Sequence, residues 1–183
     1  MAQTIRPGEP LPAGYLGLPE FFEFDNWDGR WTKFNCGQAA ACSMLRHYGR
    51  LEAAAEAMQA IERDFPPDNL GGWLGTSRSR VEQICRAAGI PLQESRGEDA
   101  LRENLSCLRP VIVMLGLPGR VRVLGFPLPV GHWMVAYGFD ESFVYLSNWG
   151  RMPWEDFRRG WRSIVPRLIR MHHRGLVVAD RSA

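Results

Sequence analysis

The stretch CGQAAACSMLRHY, residues 36–48, is the first segment of the chain whose composition predicts a helix. Its alanine, leucine and methionine residues favour helix, and Gly49 follows as the expected C-terminal cap. Cys36 would therefore stand at a helix N-terminus, where unpaired N–H groups and the helix dipole stabilise a thiolate and lower its pKa. The alternative is that Cys36 is a small buried apolar residue, which is how we interpret the other three cysteines.

Helix patterns fill the first half of the chain, and strand patterns follow in the second half. Further helices are predicted over residues 51–63, 77–88, 98–108 and 153–161. Short β-branched or alternating runs predict strands over residues 110–115, 132–139, 143–147 and 176–179. Between the first two strands, residues 116–131 are rich in glycine and proline, and we expect a loop with at most a hairpin at 121–124. Helices followed by antiparallel strands indicate an α+β fold.

The bulk composition is that of one globular domain. Of the 183 residues, 45% are hydrophobic and 23% are charged. Prolines and glycines break any periodicity over residues 1–24, so we predict an irregular N-terminal arm there and a single domain over 25–183. The net charge of +2 gives no electrostatic reason to expect nucleic acid or a membrane surface as a partner.

Neither export nor a cofactor is indicated by the sequence. No signal peptide and no membrane-spanning run is visible, so we expect a cytoplasmic protein, with export by a non-classical bacterial system left open. No cysteine pair is spaced C-x-x-C, and the histidine and cysteine spacings match no common metal site. We therefore expect neither a metal nor another cofactor.

A histidine and an asparagine occupy matching positions on two consecutive predicted strands. His132 begins one strand, and Asn148 closes the next, after a short turn at residues 140–142. In an antiparallel pair, the start of one strand lies beside the end of the next. The two side chains can therefore meet, so that the Asn148 oxygen accepts the imidazole N–H and fixes its tautomer. Trp149 is placed to shield this hydrogen bond from water.

These segments, taken in order, resemble papain-like cysteine peptidases. The similar runs are NCGQAA at 35–40, RPVIVM at 109–114, GHWMVAYGFD at 131–140 and SNWG at 147–150. The bacterial peptidases that remove double-glycine leader peptides from bacteriocins, and their stand-alone relatives, are the most similar branch. The resemblance implies N-terminal helices, with the nucleophile at a helix start, packed on a C-terminal antiparallel sheet. It also implies Cys36 as nucleophile, His132 as base and Asn148 as the residue that orients the histidine.

The chain departs from this family at the expected oxyanion hole. The family usually carries a glutamine a few residues before the nucleophile, but DGRWTK at 28–33 contains no side-chain amide. Asn26 is the expected replacement donor, with a simple turn cap as the equal alternative. Gln38, where these bacterial peptidases commonly have proline, is the weaker candidate. We expect substrate contacts from Gly37, Trp133 and Trp149.

The resemblance implies hydrolysis of a peptide or amide bond through a thioester acyl-enzyme, with a peptide or protein as the substrate. Two alternatives remain open. The first is a catalytically silent papain-like domain that only binds a peptide, which the missing glutamine supports. The second is a cysteine amidase or deamidase toxin that acts on glutamine side chains or cell-wall peptides. Its chemistry would be the same, so the sequence does not separate it from a peptidase, and the oligomeric state is equally unspecified.

Overall fold

The protein is described by a computed structural model that covers residues 10–25, 34–52, 55–69, 75–123, 126–168 and 170–179. Its helices are α1 (Cys36–His47), α2 (Ala55–Asp64), α3 (Arg78–Ala87), α4 (Gly97–Ser106), α5 (Trp154–Trp161) and α6 (Ile164–Leu168). Its strands are β1 (Leu16–Gly17), β2 (Leu92–Arg96), β3 (Val111–Val123), β4 (Phe126–Phe139), β5 (Phe143–Leu146), β6 (Gly150–Pro153) and β7 (Arg174–Val178). The predicted α+β class is confirmed.

The strands form one antiparallel sheet in the order β2-β7-β3-β4-β5-β6, and β1 pairs with the end of β4. The long hairpin of β3 and β4 is its centre, and Leu115 pairs with His132 inside it. The predicted loop at 116–131 is wrong, because this segment continues both strands to the pair Val123–Phe126. The glycines and prolines fit because this part is a two-stranded ribbon, with a register shift between Pro118 and Arg122. His132 therefore lies within a strand and does not begin one.

Helices cover the sheet on both faces. On one face, Ala40 and Met44 of α1 pack with Trp133 and Val135 of β4 in a buried apolar cluster. On the other face, α4 and α5 pack against the alternate residues of β3 and β4 in a second cluster. α1 is buried along most of its length, from Gly37 to Leu45. The helix that begins at the candidate nucleophile is thus fixed against the centre of the sheet.

The described part of the predicted N-terminal arm is attached to this sheet. β1 pairs with Gly138 and Phe139, and the Leu18 N–H donates to the Tyr137 carbonyl at 2.9 Å. Phe24 is only 3% exposed, and its N–H donates to Ser43 Oγ of α1 at 2.9 Å. The chain from β1 to Phe24 is therefore attached to the sheet and to α1. In the described ranges of the chain, each helix is too short or too polar to cross a membrane.

Candidate active site

Cys36 is the first residue of α1 and is half-buried. The backbone N–H groups of Trp133, of Gly37 and of Cys36 itself favour its thiolate form and so act to lower the pKa of the thiol. Burial raises the pKa of the Cys36 thiol, and these amides act against the rise. The raised pKa of the resting thiol runs against the expectation of a lowered one, because removal of the sulfur from water outweighs the backbone amides.

His132 lies on β4 and directly precedes the residue whose N–H reaches the Cys36 sulfur. Burial lowers the pKa of His132 from 6.5 to about 4, while the nearby Asp25 carboxylate acts in the opposite direction. The imidazole is therefore neutral at neutral pH. A neutral imidazole and a protonated thiol are the starting pair that general-base activation of a nucleophile requires.

Asn148 follows β5 in a left-handed turn with a φ of 59°, a conformation that asparagine tolerates better than most residues. Reciprocal hydrogen bonds between Ser147 and Val135, both 2.9 Å, bring this turn to the part of β4 that carries His132. The Asn148 side chain donates to the Phe24 carbonyl at 2.9 Å, and its backbone N–H donates to a Glu23 carboxylate oxygen at 2.6 Å.

The predicted bond between Asn148 and the imidazole is not formed in this structure. Among the described residues, no hydrogen bond joins Asn148 to His132, because the asparagine amide is directed toward Phe24. The segments that carry them are joined, since Ala136 of β4 pairs with Leu146 of β5 and the Ser147 N–H donates to the Val135 carbonyl. The orienting role of Asn148 stays a prediction.

Gly37 and Trp133 meet at Thr76, below the surface. A Cβ on Gly37 would lie 2.6 Å from Thr76 Cβ, so the glycine makes room for this side chain. Trp133 is 1% exposed, and its indole N–H donates to the Thr76 carbonyl at 2.8 Å. The prediction that the Trp133 side chain contacts substrate is therefore corrected, since this side chain is committed to packing; at Gly37 only the backbone amide is left for a substrate. Trp149 is 39% exposed beside Asn148 and remains available to a ligand.

The two oxyanion candidates have different outcomes. The Gln38 side chain is fully buried, with its nitrogen donating to the Phe65 carbonyl at 2.9 Å and its oxygen accepting from Thr76 Oγ1 at 2.5 Å. Both ends of this amide are bonded inside the protein. The prediction that the Gln38 side chain donates to an oxyanion is therefore corrected. Asn26 lies outside the described residues, so its role stays a prediction.

Residues 23–25 are the part of the site that the sequence did not reveal. Glu23 and Phe24 bind the Asn148 turn, and Asp25 acts electrostatically on His132. No motif or spacing marks EFD at 23–25 as functional, because an acidic residue in an irregular segment is usually solvated. In the part of the chain described here, no group of three or more His, Cys, Asp or Glu side chains is arranged to hold a metal ion.

The fold, in which the helix that begins at Cys36 is held against an antiparallel sheet that carries His132, is similar to that of two solved peptidase structures. A structure from Bacillus anthracis described as a C39-like peptidase matches with a TM-score of 0.56 and 13% identity, over 81% of this chain and 90% of that chain. The peptidase domain of Streptococcus ComA, a bifunctional ABC transporter involved in a quorum-sensing pathway, matches with a TM-score of 0.50 and 14% identity. That match covers 81% of this chain and 93% of the ComA domain. No protein-family model and no curated protein sequence matches the chain.

Proposed function

We propose that the chain is a cysteine peptidase or amidase that hydrolyses a peptide or amide bond through a thioester acyl-enzyme. The observation that supports it most is the Trp133 N–H at the Cys36 sulfur, because it joins the helix-start cysteine to the residue adjacent to His132.

The proposed reaction begins from the neutral thiol and the neutral imidazole. His132 takes the thiol proton as the Cys36 sulfur attacks the substrate carbonyl, and the amides at the start of α1 stabilise the developing charges. The resulting imidazolium gives its proton to the leaving amine, and the thioester remains on Cys36. Water then attacks the thioester, His132 takes a proton from it, and the acid leaves as the thiol is restored.

The other residues of the site support His132 in this scheme. The Asp25 carboxylate favours the imidazolium that forms in each step, because it acts to raise the pKa of His132. Asn148 holds the backbone next to Asp25 through its bond to Phe24 and is proposed to orient the imidazole. Residues 23–25, the Asn148 turn and β4 would then act as one unit around the histidine.

A catalytically silent peptide-binding domain is the second candidate. Two observations favour it: burial raises the pKa of the Cys36 thiol, and the described residues show no hydrogen bond between Asn148 and His132. An amidase or deamidase remains the third candidate, and its products distinguish it. Hydrolysis of the backbone yields two peptides, whereas deamidation converts a glutamine side chain to glutamate in an intact peptide.

The test uses mass spectrometry of a peptide library after incubation with the wild type, Cys36→Ser and Cys107→Ser. Cys107 is exposed and lies at the C-terminal end of α4, so its replacement is the matched control. We expect product formation by the wild type and Cys107→Ser, none by Cys36→Ser, and an acyl group on Cys36 when an activated ester is supplied. Peptide binding without any product or acyl-enzyme would instead identify the silent domain.

A further inference from the structure

The start of α1 lacks the side-chain cap that its sequence could provide. Asparagine is among the best N-cap residues, because its side-chain oxygen accepts from a backbone N–H in the first turn. Asn35 occupies the N-cap position of α1, yet it makes no side-chain cap hydrogen bond. In contrast, Ser77 caps α3 in the usual way and accepts from the Arg80 N–H at 3.1 Å.

The Asn35 side chain is directed to a buried carboxyl group instead. Its Nδ2 donates to Glu62 Oε1 at 2.5 Å, and the exposed fractions of Asn35 and Glu62 are 0% and 3%. The Asn35 Oδ1 is buried without a hydrogen-bond partner in this part of the chain. Leaving an acceptor buried and unpaired costs free energy. The Asn35 backbone, at φ −98° and ψ 15°, also lies outside the extended conformation from which an N-cap side chain reaches the first-turn amides. Asn35, hydrogen-bonded to Glu62, is therefore held in a conformation that does not cap α1, and its unpaired oxygen is an energetic cost of that conformation.

The absence of a side-chain cap affects the backbone N–H groups at the start of α1, beside Cys36. A capping oxygen on residue 35 would accept from the N–H of Gly37 or Gln38. The Gly37 N–H is one of the donors at the Cys36 sulfur, so a cap would compete with the sulfur for it. We propose that Asn35 and Glu62 are positioning residues: Glu62 holds the Asn35 side chain off the start of α1, which leaves the first-turn amides free for the Cys36 sulfur and for a substrate oxyanion.

This inference rests on the proposed role of Cys36, and its test does not require turnover. Asn35→Ser provides a side chain that can cap without reaching Glu62, whereas Asn35→Gly provides an acceptable N-cap without any acceptor. The rate of Cys36 alkylation by iodoacetamide is measured at neutral pH by site-resolved mass spectrometry, with the exposed Cys107 as internal reference. Stability is measured on the same samples by urea unfolding.

We expect the more stable of the two variants to have the less reactive Cys36. Asn35→Ser should be the more stable variant, yet Cys36 alkylation should fall about tenfold, which matches the loss of one hydrogen bond to a charged group. Asn35→Gly should be the less stable variant and keep Cys36 alkylation close to the wild-type rate. A purely structural role predicts instead that reactivity follows stability in both.

The inference is overturned if Asn35→Ser alkylates at the wild-type rate, or if both variants lose reactivity in proportion to stability. If Asn35→Ser does not fold, Asn35→Thr carries the same capping group and takes its place in the comparison. Failure of the proposed function gives a different result: wild-type Cys36 would alkylate no faster than the buried Cys42 and Cys85.

Discussion

The side-chain amide of Asn148 donates a hydrogen bond of 2.9 Å to the backbone carbonyl of Phe24, which lies 124 positions earlier in the chain. The Glu23 carboxylate accepts from the Asn148 backbone N–H in the same contact. A segment that precedes α1 is thereby fixed next to the candidate catalytic histidine. This contact gives Asn148 a mechanical role in addition to the proposed orientation of His132.

Substitutions at Asn148 can separate the effect of its side chain on activity from the effect of its backbone turn. Asn148→Gly accepts the positive φ but removes the amide, so we expect a folded protein whose kcat falls tenfold or more, since a misplaced catalytic group costs about that much. Asn148→Asp keeps an acceptor for the imidazole and should retain more activity than the glycine variant. Steady-state kinetics with circular dichroism as the folding control measures both, and equal kcat values for the two variants would rule out an orienting role.

Asp25 should influence the protonation of His132. The Asp25 carboxylate acts to raise the pKa of this imidazole, so Asp25→Asn should move it further below its ordinary range. An NMR titration of the His132 ring protons measures the shift, which should shrink at high salt because Asp25 is exposed. Glu141→Gln, at an exposed turn between β4 and β5, is the control and should leave the titration unchanged. A His132 pKa that does not respond to Asp25→Asn would exclude the electrostatic contact.

Burial of His132 predicts a loss of stability in mild acid. The unfolded chain binds a proton at this histidine near pH 6.5, whereas the folded protein binds it only near pH 4. Between these values the unfolded state carries more protons, so the free energy of unfolding rises with pH and falls as the solution is acidified. Burial of the neutral His132 therefore lowers the free energy of unfolding by about 3 kcal/mol at the acid end of this window.

The comparison of wild type with His132→Gln isolates this contribution from that of the other titrating groups. Urea unfolding across the window should give a shallower pH dependence for the variant, since glutamine does not titrate. Parallel curves for the two proteins would mean that the His132 imidazole is not buried in its neutral form.

The contact between Gly37 and Thr76 should make residue 37 intolerant of any side chain. The Cβ of Gly37→Ala would lie 2.6 Å from Thr76 Cβ and 2.8 Å from its Cγ2, and we expect a destabilisation of about 1–3 kcal/mol. The double variant Gly37→Ala with Thr76→Gly removes both close contacts and should recover part of the loss. Thermal unfolding of the three variants measures the coupling, and purely additive effects would show that the two residues do not share this space.

The layout of helices and central strands could be predicted because local signals agree with the fold. α1 begins at Cys36 and α3 follows Ser77, as capping and composition indicated. The edge strands could not be predicted in this way. β2 reads LQESR and β6 reads GRMP, and neither shows a clear apolar pattern, so their conformation comes from pairing with β7 and β5.

The same distinction applies to the candidate site. Cys36, His132 and Asn148 carry recognisable neighbours, and their order along the chain was enough to place Cys36 at the start of α1 and His132 on a central strand. Asn148 was expected to close a strand but lies in the turn after β5. The Trp133 side chain was misassigned because a sequence does not show that its indole N–H is bonded to the Thr76 carbonyl. The contribution of Glu23 was hidden for another reason: its contact depends on packing between distant segments, which no local pattern encodes.

The attachment of the first strand matters for anyone who shortens this protein. The sequence alone suggests a domain that begins at Asp25. A fragment with that start would lose Leu18, whose N–H bonds to the Tyr137 carbonyl, and the rings of Tyr15 and Phe21. Tyr15 lies 5.0 Å from the Tyr145 ring and Phe21 lies 5.1 Å from the Tyr137 ring, both measured between ring centroids. Their removal would open an aromatic patch beside an unpaired strand end, a combination that promotes aggregation. A recombinant fragment should therefore begin upstream of Tyr15 if it is to stay monodisperse during purification.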